Sequence, residues 1–228
     1  MSTGTSDDPS IAAELEFFRD LGFREIFVSA PALPQLLPGS MADLAAVARS
    51  IDGCTRCKLS ASRTRIVLGH GNPAADLMFV GEAPGREEDE QGLPFVGPAG
   101  QLLTKIIEAM GMTREEVYIV NTVGCRPLEN RNPEPDEVAA CRPFLQEQIR
   151  LVAPRVIVSL GTFATHAILQ TDEPISRLRG RWQVAHGARV MPTFHPAYLL
   201  RSPKGKKEVW TDMQLVRDYL AGKPGAAE

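Results

Sequence analysis

Four cysteines, one histidine and one asparagine are the residues of this chain whose types and spacing best suit chemistry. The cysteines run Cys54-x2-Cys57 and then Cys125-x15-Cys141. Two thiols from one tight turn and two from distant points can close a four-thiolate site. Zinc and a [4Fe–4S] cluster both accept four thiolates, and the spacing leaves both open, with a lean toward iron–sulfur because only one pair is tight. The alternative is four unlinked cysteines buried as small hydrophobes, which a Cys-x2-Cys pair with two further cysteines disfavours. Nothing in the pattern suggests an open coordination position, so the expected role is structural.

Three loops carry the remaining candidates. Residues 81–103 read GEAPGREEDEQGLPFVGPAGQLL. The glycines let backbone N–H groups approach a ligand closely. The acids Glu82, Glu87, Glu88, Asp89 and Glu90 would repel a phosphate, which excludes a nucleotide-phosphate cradle. Phe95, in the Gly/Pro-rich part of this loop, is either a stacking platform for a flat ring or a plug into the core. Asn121 follows the apolar run VYIV. It either reads the edge of a base, donating and accepting in one plane, or caps a turn. His195 precedes a proline in TFHPAYLLR and is placed to donate a hydrogen bond to a developing anion. His70, His166 and His186 lack such a position and read as structural.

These loops need a frame. Short apolar runs at 76–80, 117–120, 156–160 and 190–194 predict strands, and helical spacing is predicted over 99–110, 135–151, 162–170 and 206–220. Thr113 and Glu116 fit a capping box. Alternation of this kind gives a parallel sheet with helices on both faces. Its ligand site lies beyond the carboxyl ends of the strands, where Glu82, Asn121 and His195 fall. Residues 1–40 read as an extension, with a helical pattern over 11–22 and a Pro-rich linker. A further short helix over 41–51 leads into Cys54, and residues 41–228 form the main domain.

The 228 residues carry a net charge of −3, so total charge does not announce a nucleic-acid binder. Its distribution is uneven. Residues 176–217 hold nine Lys/Arg against two Asp/Glu, whereas residues 1–40 hold two Arg against six acids. The basic third either faces phosphates or is a solvated surface. No apolar run approaches a membrane span, and the acidic N-terminus lacks the features of a signal peptide. The expectation is a cytoplasmic monomer, with thiols free of disulfides.

Taken together, GEAPGREEDEQGLPFVGPAGQLL, YIVN, the CRP that includes Cys125, HPAYLLR and the cysteine spacing resemble the family 4 uracil-DNA glycosylases, over about residues 44–221. The resemblance implies a three-layer α/β/α sandwich around a four-stranded parallel sheet. It also implies a structural [4Fe–4S] cluster on Cys54, Cys57, Cys125 and Cys141. The implied reaction is monofunctional hydrolysis of the deoxyuridine N-glycosidic bond in single- or double-stranded DNA, releasing free uracil and leaving an abasic site. Phe95 would stack on the flipped base, Asn121 would read its O4 and N3 edge, and His195 would face O2. Backbone N–H groups near Glu82 and Ala83 would hold the uracil. Glu88 would shape the pocket against thymine's methyl or order the attacking water. Leu199 is expected to act as a wedge in the emptied stack, and Arg201, Lys204, Lys206 and Lys207 to contact phosphates. Other families of this kind carry a water-activating aspartate where Ala83 stands. Two rivals are a covalent uracil-DNA binder and a non-catalytic, metal-stabilised module. The intact GEAPG, Asn121 and His195 disfavour both.

Overall fold

The computed structural model describes residues 41–223; the expected helix over 11–22 and the Pro-rich linker lie outside the described residues. Six strands form one sheet: β1 (His70–Gly71), β2 (Leu77–Gly81), β3 (Tyr118–Asn121), β4 (Val156–Leu160), β5 (Gln183–Ala185) and β6 (Ala188–Thr193), in the order β1-β3-β2-β4-β6-β5. The four inner strands pair in parallel. They are the four that the apolar runs predict. The expected four-stranded sheet is extended at each edge by a short antiparallel strand, β1 on β3 and β5 on β6. Those edges are too short and too exposed to leave an apolar run.

The helices are α1 (Met41–Ile51), α2 (Arg86–Gln91), α3 (Pro98–Ala109), α4 (Pro135–Val152), α5 (Gly161–Leu169), α6 (Ile175–Leu178), α7 (Pro196–Arg201) and α8 (Lys206–Leu220). Side chains alternate across the inner strands and fill two cores. Leu77, Phe79, Ile119, Val158 and Met191 pack against Leu103 and Ile107 of α3 and Val209, Met213 and Val216 of α8. Met78, Val80, Val120, Ile157 and Val190 pack against Leu145 and Ile149 of α4 and Ala164 and Ile168 of α5. A sheet covered on both faces has no polar side, which is why its strands read as continuous hydrophobic runs. Helix α1 packs outside α4, through Val47 and Ile51 on Phe144 and Leu151. This sets Cys54, just past the end of α1, near α4, which carries Cys141.

Two helix starts are fixed by buried carboxylates. Helix α4 begins with Pro135 at its first position, where the missing N–H costs nothing. The Glu137 carboxylate accepts from the Glu134 amide at 2.7 Å. Helix α2 has no counterpart among the elements expected from the sequence, because REEDEQ has no apolar face. It forms around the buried carboxylate of Glu88, which accepts from the Gly85 amide at 3.0 Å. Among the described residues no helix is long and apolar enough to cross a membrane.

Candidate active site

Loops leaving the carboxyl ends of β2, β3 and β6 meet in a cleft of about 390 Å³, within the usual range for small-ligand sites. Glu82, Ala83, Glu88, Phe95, Asn121, His195 and Arg201 all line it. Pairing continues past the strand ends, with the Thr122 amide donating to Gly81 O at 2.9 Å and the Val123 amide to Glu82 O at 3.2 Å. These bonds fix the backbone at 81–82 against the segment after Asn121.

Asn121 is 5 % exposed, and its Oδ1 is buried without a hydrogen-bond partner. An orphaned buried acceptor is costly, and the residue that carries it lines the cleft. Phe95 is 6 % exposed and adopts φ of +55°, in the left-handed region that L side chains avoid. Three backbone donors hold its loop. Glu88 Oε1 accepts from the Val96 amide at 2.9 Å and the Gly97 amide at 2.8 Å, and its Oε2 from Gly85. Arg114 adds a bond to Pro94 O at 2.9 Å. Both Glu88 oxygens are thus engaged with backbone. Glu88 reaches the cleft wall as the support of the Phe95 loop, with three backbone amides on its carboxylate.

The His195 ring sits 5.7 Å from the Phe95 ring, centroid to centroid and tilted by 35°. Its Nδ1 accepts from the Ala197 amide at 3.1 Å, so in the neutral ring the proton is on Nε2. Burial, with a smaller contribution from the Arg201 charge, lowers its pKa to about 4. The ring keeps some exposure to the cleft, but the dense protein around it disfavours the imidazolium. The site therefore offers a neutral N–H donor at neutral pH. Glu82 shifts the other way, pushed up to about 7 by burial.

Two expected DNA contacts need revision or qualification. Leu199 is 1 % exposed and packs in the core with Leu103 and Val209, so it cannot enter a base stack. Its neighbours on α7, Tyr198 and Leu200, are 40 % and 48 % exposed. Lys204 is exposed in the turn Pro203–Gly205 and does not line the cleft. Beyond Asn121 the cleft has a further wall that the sequence reading does not include. Pro127, Asn130, Arg131 and Asn132 line it, and Arg131 is locked to the fully buried Glu137 at 2.6 Å. The run CRPLENRNPEP, dense in turn formers, is the available signal.

The cysteines converge on the other side of this loop system. Cys57, Cys125 and Cys141 share one small cluster with Leu59, Val123 and Ala83. Burial raises the Cys125 thiol, and the guanidinium of Arg63, 3.5 Å from its sulfur, opposes that shift. Burial also pushes Cys141 up to about 11, and Cys125, Cys57 and Cys54 add repulsion. Cys54 and Cys57 thus lie within electrostatic reach of both Cys125 and Cys141. Among the described residues no group of three or more His, Cys, Asp or Glu is spaced around a single metal ion. Lys58, next to Cys57, ion-pairs with Glu134 and with Asp136 at 3.6 Å, tying the Cys-x2-Cys turn to the start of α4.

Residues 68–214 match the family model of the uracil DNA glycosylase superfamily. The chain belongs to this superfamily. Among the similar proteins are type-4 uracil-DNA glycosylases. That of Saccharolobus solfataricus is 42 % identical over 193 residues, covering 81 % of this chain and 89 % of its own. That of Thermotoga maritima is 43 % identical over 180 residues, covering 76 % and 93 %. That of Archaeoglobus fulgidus is 40 % identical over 193 residues, covering 80 % and 96 %. For a uracil-DNA glycosylase the cleft has a chemically apt set of groups: a flat ring, an amide with an unused acceptor, and a neutral N–H donor.

Proposed function

We propose that this uracil-DNA glycosylase hydrolyses the N-glycosidic bond of deoxyuridine in DNA with the base flipped into the cleft between Phe95, Asn121 and His195. The observation that carries the reading is the orphaned Oδ1 of Asn121. Uracil N3–H supplies the donor it lacks, while the amide N–H donates to O4. Cytosine presents an acceptor at N3 and a donor at N4, so it would leave both groups mismatched. Flipping costs a few kcal/mol, which stacking on Phe95 and these bonds offset.

As the glycosidic bond breaks, negative charge gathers on uracil O2. The Nε2–H of neutral His195 donates there without a proton being transferred, and a donor of this kind contributes about 2.7–4 kcal/mol to the transition state. The backbone at Glu82 and Ala83 completes the base's surroundings. Glu82, on the cleft wall, is the general base for the attacking water, because its carboxylate, pushed up to about 7 by burial, suits proton acceptance at neutral pH, whereas Glu88 already holds three backbone amides. Leu200 replaces Leu199 as the residue that fills the emptied stack. Arg201 contacts phosphate beside the cleft, and Lys204 does so further out.

Cys54, Cys57, Cys125 and Cys141 would hold a [4Fe–4S] cluster, which suits an all-thiol donor set. Ligation requires thiolates, and burial opposes that ionisation at Cys125 and Cys141, so metal binding would couple to folding. The cluster supplies no step of the hydrolysis; it would fix the turn after α1, the segment after β3 and α4 together beneath Ala83.

The test is a cleavage assay on an oligonucleotide with one uracil opposite guanine, using anaerobically purified protein alongside Asn121→Ala and His195→Ala. Multiple-turnover formation of abasic sites, weakened in both variants, supports the reading. A folded wild type that does not cleave overturns it, and a denaturation-stable DNA adduct points to a covalent binder. Iron and sulfide content, lost in Cys141→Ser, tests the cluster separately.

A further inference from the structure

We propose that Asp212 is a positioning residue for His195, acting through Thr193 and through Arg179 on Phe194. Asp212 lies on α8, the closing helix, and is 1 % exposed. Its Oδ2 accepts from the Thr193 hydroxyl at 2.6 Å. Its Oδ1 accepts from Arg179 Nη2 at 2.5 Å. The same guanidinium lies over the Phe194 ring, 5.4 Å from its centroid, and donates to Glu208 O at 3.0 Å. The amide of Gly180, next to Arg179, donates to Pro192 O at 3.1 Å. One buried carboxylate, its counter-ion and the neighbouring Gly180 amide therefore grip residues 192, 193 and 194 in succession, and residue 195 comes next.

A buried ion pair is a poor way to gain stability, since desolvating two charges costs about what their attraction returns. Apolar packing would close the end of β6 as well. What charge adds is geometry, because a carboxylate with two fixed donors admits few arrangements. Geometry is what His195 needs. Its ring is held downstream by the Ala197 amide, and His195 packs over Gly161, where an added β carbon would lie 3.0 Å from His195 Cβ. The Asp212 brace supplies the upstream hold, and a donor displaced by 1 Å loses much of its effect. The inference rests on His195 being the donor to the leaving base.

The experiment uses the full-length, cluster-loaded protein and measures single-turnover excision of uracil from an oligonucleotide at saturating enzyme. Thr193→Val removes the hydroxyl at constant shape, Asp212→Asn removes the charge, and Thr193→Ser keeps the hydroxyl. Each is made alone and combined with His195→Ala, and affinity is measured on DNA with a non-hydrolysable deoxyuridine analogue. Thr193→Val and Asp212→Asn are expected to slow excision about 10-fold with affinity unchanged, an effect that Thr193→Ser avoids. In the His195→Ala background the same changes are expected to cost less than about 2-fold, because the group they position is gone. Equal losses in both backgrounds, or folded variants of undiminished rate, overturn the proposal. Should one variant fail to fold, the other carries the comparison; failure of both assigns the brace to stability and overturns it as well. If His195→Ala itself leaves excision intact, it is the role of His195 that falls.

Discussion

Gly81 lies directly against Asn121: a β carbon at Gly81 would stand 2.4 Å from Asn121 Oδ1 and 2.4 Å from Phe95 Cζ. The last residue of β2 thus leaves room for both side chains, which are proposed to frame the base. Gly81→Ala must displace one of them, since real β carbons do not approach so closely. The expected result is a loss of excision of about 100-fold, the scale of a 1 Å misplacement, with far-UV circular dichroism unchanged. Full activity in a single-turnover assay would mean that Asn121 and Phe95 slide without losing the base, and that their present spacing is not matched to it.

Under the proposed role, the orphaned Oδ1 of Asn121 is a cost in stability that the free enzyme bears for its ligand. An unsatisfied buried polar atom costs about 1–3 kcal/mol. Asn121→Leu removes it at similar size. The expected melting temperature is equal to or above that of the parent, while excision falls about 100-fold or more. Free uracil is expected to raise the melting temperature of the parent by mass action and to leave that of the variant unmoved. A variant that loses stability would show that Oδ1 has a partner in the free protein.

Much of this frame is legible in the sequence, and the rest is hidden for physical reasons. The inner strands show themselves because a sheet covered on both faces needs unbroken apolar runs such as LMFV and VIVSL. The edge strands, at His70–Gly71 and Gln183–Ala185, are too short to show a period. Leu199 is misassigned from sequence because α7 is only six residues long. In so short a helix a one-residue error in phase exchanges the buried Leu199 for the exposed Leu200. Asn121 and His195 can be placed at the cleft from strand ends alone. The work of Glu88 cannot, since its partners Val96 and Gly97 lie across a loop whose closure no periodicity records.

Glu88 makes a prediction of its own. Its carboxylate, 8 % exposed, gathers the amides of Gly85, Val96 and Gly97 and so holds Phe95 at φ of +55°. Glu88→Ala leaves these donors with no acceptor. Chemical denaturation is expected to show a loss of about 1–3 kcal/mol, and excision is expected to fall because the stacking ring relaxes out of place. Glu88→Gln, with one acceptor oxygen left for three donors, is expected to fall between. Loss of stability with excision intact would separate the Glu88 brace from the placement of Phe95.

The protonation of His195 fixes a pH dependence with a definite sign. Its folded pKa, about 4, lies below the ordinary value of 6.5, so between those values the unfolded chain binds a proton that the folded chain refuses. The contribution to stability is therefore full above pH 6.5 and is lost as pH falls toward 4. Glu82, raised from 4.5 to about 7, acts oppositely, its contribution declining as pH rises through that range. The two overlap, so the histidine is isolated by comparison with His195→Gln. The difference in unfolding free energy between parent and variant is expected to be constant from pH 8 to 6.5 and to shift against the parent below it. The histidine's own effect on the single-turnover rate, parent over variant, is expected to persist below pH 6 and to fade near pH 4, since a neutral Nε2–H is the working form. Arg201→Ala removes the charge that helps hold the ring neutral, and is expected to move that fading to higher pH. A histidine-dependent rate loss centred at pH 6.5 in the parent would mean an ordinary, solvated imidazole, and would remove the ground for a neutral donor at O2.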